Sequence, residues 1–503
     1  MELEITPELR PASLFRRPRL VLLLIAASAL LCSAFLAWQV RHAMTQPDEM
    51  SYRFQARILR TGRLRAPALP GATWDGPVPQ EVHFNHHIST PGGWSVMYPI
   101  GWPMVLAMGQ ALGASWLVTP LLGVLLVWLT YRLASALYDE HTGAAAALLL
   151  VPCPWFFMNT SGDMPHALAA CMIAAGLWAI VLGLQERRPP LCAAGFLVVG
   201  LTLFVHPFTA LGVSAGLAVA LVVFLRGDRE MLFRLLPWLL PALLLVGGLF
   251  ALQNGYFTHS WLRSPYALSA GTKTPPEVTL NPRAILAYGP RYTASSLLST
   301  VFYATPFLFL LAGYAMVRLT GQRRWSVLLA SVFVGEVCMN NLNVVPNISL
   351  PGQRMYFEGL APMAVLAGAG LLAILERWRV RKSALYLTAV LFGLMQALQY
   401  GIEVHDIKAR VRPSLIYRDA LAGVHVPGGI VFMRTEHMPV DEGFASFNYN
   451  VNDADWPHAP MLYLIDPGPA RRSEVARRFG RARWVVVTYD GAKQTCDISP
   501  VDR

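Results

Sequence analysis

Charge is what this sequence has least of. Only 14% of its 503 residues are Asp, Glu, Lys or Arg, against 54% hydrophobic, where a soluble domain carries about 25% charged residues. With a mean hydropathy of +0.43, that deficit argues against an ordinary soluble enzyme and for a chain dissolved in lipid. Paired cysteines are missing too. Cys32, Cys153, Cys171, Cys192 and Cys338 lie within apolar runs, where a thiol acts as a small hydrophobe, and Cys496 stands alone near the tail. Without a CxxC spacing, neither a zinc site nor a disulfide framework is expected. Long basic tracts interleaved with aromatics are also absent, so the net charge of +11 does not imply nucleic acid as a partner. Neither repeats nor low-complexity tracts stand out.

Long apolar runs are what the sequence has. A helical span needs about 20 apolar residues. The first run, 20–40, follows Arg16, Arg17 and Arg19 and is longer than a signal-peptide core, so it reads as an uncleaved first span. Further spans are expected at about 115–137, 143–158, 165–184, 190–205, 207–225, 234–252, 296–318, 325–341, 356–375 and 383–400, about eleven in all. The apolar segment 98–113 is short and begins with Pro99 and Pro103; it is expected to lie at the interface.

Charge supports that choice. With 98–113 left out of the count, Arg187 and Arg188, then Arg226, Arg229 and Arg234, then Arg318, Arg323 and Arg324, then Arg377, Arg379, Arg381 and Lys382 all fall in loops on one side. This is the positive-inside pattern, and it puts residues 1–19 in the cytoplasm. The single exception, Asp139-Glu140-His141, carries no Lys or Arg, and acids contribute little to this rule. Residues 41–114, 159–164, 253–295 and 342–355 then face outside, with the tail 401–503. The tail carries β-branched runs at 429–433 and 484–488, an apolar run at 461–465 and a helical pattern at 469–479. The expected fold is an all-α polytopic membrane bundle over 20–400 with a small extracytoplasmic α/β domain at the C-terminus.

The polar residues with chemical potential gather on the outer side. Thr45-Gln-Pro-Asp48-Glu49 places two carboxylates just past the first span, with Pro47 suited to the first turn of a new helix. Acids at a helix start suit the macrodipole, and acids at a membrane surface also suit a general base. Arg53, Arg57 and Arg60 follow on one helix face, fit for a lipid phosphate or for an interfacial helix that snorkels. His83, His86 and His87 lie within five residues, open to a metal or to hydrogen bonding of phosphate or substrate, and Tyr98 follows them. Asp163 and His166 sit in and beside a tight outer hairpin, and His206 ends on the same side. Arg354, Tyr356 and Glu358 close the last outer loop; Arg354 and Glu358 are spaced to pair with each other, and Arg354 is equally suited to a phosphate.

Taken together, these residues resemble the membrane glycosyltransferases of the GT-C type, which include protein O-mannosyltransferases, lipid A aminoarabinose transferases and a bacterial galacturonosyltransferase-like group. The likeness covers most of 20–400. It rests on the acidic pair Asp48-Glu49 after the first span, the interfacial Tyr98-Pro, an arginine-ended second span and the hairpin acid Asp163. The stretches Pro47-Asp-Glu-Met-Ser-Tyr-Arg-Phe-Gln-Ala and Gly352-Gln-Arg-Met-Tyr-Phe-Glu358 look particularly like one bacterial branch. That branch tends to carry Lys-Tyr-Pro-Pro-Gly-Gln where this chain has Met97-Tyr-Pro-Ile-Gly-Trp102. The lysine and glutamine are missing, which leaves His86, His87 or Arg53 for the lysine's phosphate contact.

The resemblance implies an inverting transferase that takes a sugar from a polyprenyl-phosphate donor to a lipid, glycan or protein acceptor outside the membrane. It makes Asp48 the general base, Glu49 its orienting neighbour or a sugar ligand, and Asp163 the group that positions the acceptor or a second sugar hydroxyl. Arg354, then Arg53, His86 and His87, would stabilise the leaving phosphate. No cofactor is firmly expected, though a divalent cation (Mg or Mn) bridging Asp48, Asp163 and the phosphate is compatible with the acids. Two other readings stay open. One is a transporter or flippase for a lipid-linked sugar, which the largely uncharged spans (Glu336 excepted) disfavour. The other is a ligase or polymerase joining lipid-linked glycans.

Overall fold

A computed structural model describes residues 17–41, 43–74, 79–269, 282–305, 307–342, 354–378, 382–438 and 445–500. Helix α1 (Pro18–Val40) is uncharged beyond its first turn and starts on a proline, which loses no intrahelical donor there. An outer layer follows: α2 (Pro47–Arg60), the hairpin β1 (His87–Thr90) and β2 (Gly93–Val96), and α3 (Gly101–Ala111). At 1.5 Å per residue α3 is only about 17 Å long, too short to cross a bilayer, which agrees with an interfacial segment at 98–113.

The bundle continues with α4 (Val118–Leu137), α5 (Glu140–Leu150), α6 (Pro154–Asn159), α7 (His166–Gln185), α8 (Pro189–Leu201), α9 (Pro207–Leu225) and α10 (Arg229–Thr258). Then come α11 (Pro265–Ser269), α12 (Pro282–Tyr303), α13 (Leu308–Arg318), α14 (Arg323–Asn341) and α15 (Leu360–Trp378). Glycines let these helices approach closely. A Cβ on Gly212 of α9 would lie 2.6 Å from the Gly335 carbonyl of α14, and one on Gly368 of α15 would lie 2.7 Å from the Ala146 nitrogen of α5.

Among the described residues six helices are long and apolar enough to cross a membrane, or seven if the pair bent by 100° at Gly289–Tyr303 and Leu308–Arg318 counts as one span. The sequence reading expected about eleven, and the shortfall has local causes. The expected span 143–158 is broken between α5 and α6, where Pro152 and Pro154 remove two backbone donors. The run 190–205 forms α8 and then tightens into a 3-10 turn, Thr202–Phe204. Helix α14 is continuous, but Arg323, Arg324 and Glu336 lower its hydropathy. Residues 270–281 and 343–353, which include Gly352 and Gln353, lie outside the described residues, as do Arg379 and Arg381.

Helix α16 (Lys382–Gly423) runs 42 residues, past the boundary expected at 401, and delivers Tyr417 into the core of the C-terminal domain. That domain has the strands β3 (Gly429–Glu436), β4 (Met461–Ile465), β5 (Trp484–Asp490) and β6 (Thr495–Ile498), with α17 (Arg472–Arg478) between β4 and β5. The sheet order is β4-β3-β5-β6, parallel except for β6. The three apolar runs read from the sequence are thus the three parallel strands, and the helical pattern at 469–479 contains α17.

One packing feature is absent from the sequence reading. Met44, Phe54, Ile58, Phe84 and Trp94 of the outer layer share a hydrophobic core with Ile430, Phe432, Leu464 and Val487 of the C-terminal sheet. Fully buried Glu81 pairs with Arg471 at 3.7 Å and with Arg478 across the same contact. The outer layer and the tail domain are therefore one packed unit resting on the bundle.

Candidate functional site

The site begins where α2 begins. Gln46 is extended, and Pro47 fixes the first helical φ, so Asp48 and Glu49 fall in the first turn. Their side chains diverge. Asp48 points to a set of donors brought from three distant segments. Its Oδ1 accepts from the Tyr98 hydroxyl at 2.8 Å and lies 3.3 Å from His86 Nδ1, and its Oδ2 accepts from Arg354 Nη2 at 3.1 Å. Arg354 also donates through Nη1 to Gln46 Oε1 at 2.9 Å, which holds the guanidinium over the helix start. His86 reaches the acid from a left-handed backbone conformation (φ 63°), uncommon for a residue with a Cβ. Rings enclose the pocket: Tyr98 lies 4.5 Å from Tyr52, 5.3 Å from His86 and 5.8 Å from Tyr266, centroid to centroid.

Burial pushes the Asp48 carboxyl up. The Arg354 guanidinium, then His86 and the Tyr98 hydrogen bond, outweigh that and hold it below the usual carboxylate range. Burial raises the Tyr98 phenol well above its ordinary value, helped by the Asp48 charge, so this hydroxyl stays a donor. His86 is lowered by burial, against the pull of Asp48.

Glu49 turns the other way and secures the hairpin between α6 and α7. It accepts from the Thr45 backbone at 2.9 Å, from the Thr45 hydroxyl, and from the Asp163 backbone at 3.2 Å. A Cβ on Gly162 would lie 2.7 Å from Glu49 Oε1, so any larger residue there must displace that carboxylate. Burial raises the Glu49 carboxyl, Arg53 lowers it and Asp163 raises it, for a net upward shift. Asp163 accepts from Arg53 Nε at 2.6 Å, while Arg53 Nη1 donates to the Ala43 carbonyl at 2.7 Å. Trp102 Nε1 donates to the Asp163 carbonyl at 2.9 Å. The structure thus brings Asp48, Glu49, Asp163, Arg53, His86, Tyr98 and Arg354 to one place.

Other expected residues lie elsewhere. The three clustered histidines separate: only His86 meets Asp48. His87 is a core residue, its Nδ1 2.7 Å from the Asn85 carbonyl and its ring against Phe54 and Trp94, and burial lowers it to about 3. His83 is half-buried and lowered by burial. Arg57 donates to the Asn450 carbonyl at 2.9 Å and so faces the C-terminal domain; burial, with Arg53 nearby, lowers it to about 10. Tyr356 is buried, its ring centroid 5.9 Å from that of Phe333.

Behind Arg354 lies a second group. His166 Nδ1 is 3.1 Å from Glu358 Oε1, His206 Nδ1 is 3.9 Å from the same oxygen, and the two imidazoles lie 4.9 Å apart. His166 Nε2 and Glu358 Oε2 are buried without a hydrogen-bond partner. Two imidazoles and a carboxylate with ligand atoms within 4.8 Å of one another fit a divalent ion, and the nitrogen donors suit Zn better than Mg or Mn. Asp48 and Asp163, the acids compatible in sequence with a bridging cation, are each held by a separate arginine.

Sequence reasoning did not select Gln46, Tyr52, Tyr266 or Gly162. Gln46 carries the readable signal, as the residue before Pro47 at a helix start. It also left Glu336 unexplained: this acid accepts from the Gly359 backbone at 2.9 Å and so satisfies an orphan donor where the chain enters α15.

No protein-family model and no curated protein sequence matches the chain. Solved structures do. One is ArnT from Cupriavidus metallidurans bound to undecaprenyl phosphate, with a TM-score of 0.54 and 12% identity over 93% of this chain and 92% of that one. Another is the apo oligosaccharyltransferase of Archaeoglobus fulgidus, with a TM-score of 0.48 and 12% identity over 92% of this chain and 69% of that one. The match to ArnT, near full length on both sides, shows that this chain has the GT-C fold of membrane glycosyltransferases.

Proposed function

We propose that the protein is an inverting glycosyltransferase that moves a sugar from a polyprenyl-phosphate donor to an envelope acceptor on the outer face of the bacterial cytoplasmic membrane. The observation that carries this reading is the contact between Asp48 and Arg354, 3.1 Å apart in a buried pocket beside the bundle. A general base thereby sits next to a cation suited to a phosphate.

The chemistry follows from those two groups. The acceptor hydroxyl oxygen attacks the anomeric carbon while Asp48 takes its proton. The bond from the anomeric carbon to the phosphate oxygen breaks, and the polyprenyl phosphate leaves with the electron pair, so the configuration inverts. Arg354, with His86 beside it, meets the charge that grows on that oxygen. The donor phosphate also competes with Asp48 for Arg354. When Arg354 turns to the phosphate, burial acts on Asp48 with less opposition and the carboxylate becomes more basic, so the base is strengthened when donor is present. Asp163, fixed by Arg53, takes a sugar or acceptor hydroxyl, and the rings of Tyr52, Tyr98 and Tyr266 form an apolar wall for the sugar face. A divalent ion, where one binds, would be held by His166, His206 and Glu358 and would add positive charge on the Arg354 side of the pocket.

Mass spectrometry of envelope glycans and lipids tests the reading, comparing cells with and without the protein. One sugar is expected to disappear from an envelope product while its lipid-linked donor persists. An unchanged set of glycans, with a lipid-linked sugar retained on the cytoplasmic face, would overturn it.

A further inference from the structure

At the opposite end of the bundle, α1, α4, α5 and α7 surround a cavity of about 690 Å³. Helices α1 and α7 run from this end to the site, so about 30 Å of helix separates the cavity from Asp48. The same end carries Arg187 and Arg188 just past α7.

The wall is an unusual mixture for a membrane helix surface. The Arg132 guanidinium lies 4.6 Å from the ring centroid of Trp178 and 5.6 Å from that of Trp128, and the two indoles meet edge to face at 5.6 Å. Arg19 also lines the cavity, but its charge is engaged by Glu140 at 2.8 Å. Among the described residues no carboxylate pairs with Arg132. The Tyr131 and Ser135 oxygens are buried, and no hydrogen bond of normal geometry reaches either. Leu22, Leu23 and Leu182 complete the wall, and Leu23 continues onto the exposed apolar face of α1 with Leu20 and Leu24.

We infer that this cavity binds one anionic membrane phospholipid, its phosphate on Arg132 and one acyl chain along Leu23. Three features select that occupant. The unpaired cation calls for an anion. Glu140 is already taken by Arg19, so the ammonium of a zwitterionic headgroup finds no free acid. The leucine track leads from the cation into the hydrocarbon, which a soluble anion would not use. The two tryptophans, packed against each other and against the Arg132 guanidinium, line the boundary between these parts.

Native mass spectrometry of the full-length protein, titrated with phosphatidylglycerol, phosphatidylcholine or inorganic phosphate, tests this. One phosphatidylglycerol should be retained over phosphatidylcholine by roughly fivefold, the worth of one basic contact near a membrane surface. Arg132→Gln should bring the two lipids to parity, and Trp178→Leu should weaken phosphatidylglycerol retention while leaving Arg132 in place. Arg132→Lys, which keeps charge and length, should keep part of the preference and serves if the glutamine variant does not fold. Equal retention of both lipids by the unmodified protein, an unaltered preference in the Arg132 and Trp178 variants, or displacement of the lipid by inorganic phosphate would overturn the assignment.

Discussion

Asp48 keeps its charge in a buried place because Arg354 and Tyr98 donate to it and His86 lies beside it, and that balance sets what each can do. Removing the carboxylate charge with Asp48→Asn should lower transfer by about 10²–10⁴-fold, the usual worth of a positioned base, with membrane content of the protein unchanged. The pH dependence follows from the direction of the shift. A base must be ionised, and Asp48 lies below the ordinary carboxylate range because Arg354, His86 and Tyr98 outweigh its burial. Activity is therefore retained down to that lowered value and lost as pH falls through it. Arg354→Gln removes the largest of the opposing charges, so the acid limb of kcat/KM should move to higher pH. An acid limb that stays in place in this variant would show that the titrating group is not Asp48. By the same reasoning, Tyr98→Phe should move the limb upward by a smaller amount.

At the scale of the elements, the start of α2 and the hairpin before α7 act as one joint. Gly162 is its tightest point, since any Cβ there meets Glu49. Gly162→Ala should cost about 1–3 kcal/mol, as overpacking does, and separate Asp163 from Arg53; a fall in the midpoint of thermal inactivation in detergent would register it. The joint also shows how far the sequence could be read. A carboxylate pair after Pro47 is visible because helix-start chemistry is local, and so is the hairpin acid Asp163. The division of labour between Asp48 and Glu49 was not visible, because it depends on which neighbour arrives: Arg354 is 306 residues away and the Asp163 backbone 114. The histidine run misled for the same reason. Its three members look alike in sequence, yet the β1–β2 hairpin turns His87 into the core and leaves His86 at the acid.

For the whole molecule, the notable fact is that the outer layer and the C-terminal domain share one core. The strands of that domain were legible as three apolar runs, because strand signals are short-range. Its seat on the outer layer was not, because it joins residues such as Asn85 and Asn448, which bond at 2.7 Å across the interface. Glu81 marks the contact. Glu81→Ala should cost about 1–2 kcal/mol, below the usual loss for a broken buried pair because Arg471 and Arg478 are partly solvated. Limited proteolysis should then cut the tail domain sooner, while the bundle stays intact. Since α2 belongs to the shared core, the same variant should also lower activity.

The proposed mechanism turns on one exchange, in which a guanidinium leaves a carboxylate to take a phosphate. Binding of undecaprenyl phosphate to the purified, full-length protein and its two variants measures this most directly. Arg354→Gln should bind at least tenfold more weakly, whereas Asp48→Asn, in which the guanidinium has lost its competitor, should bind as well as the unmodified protein or better. Equal binding by Arg354→Gln and the unmodified protein, or a loss of binding in Asp48→Asn, would contradict it.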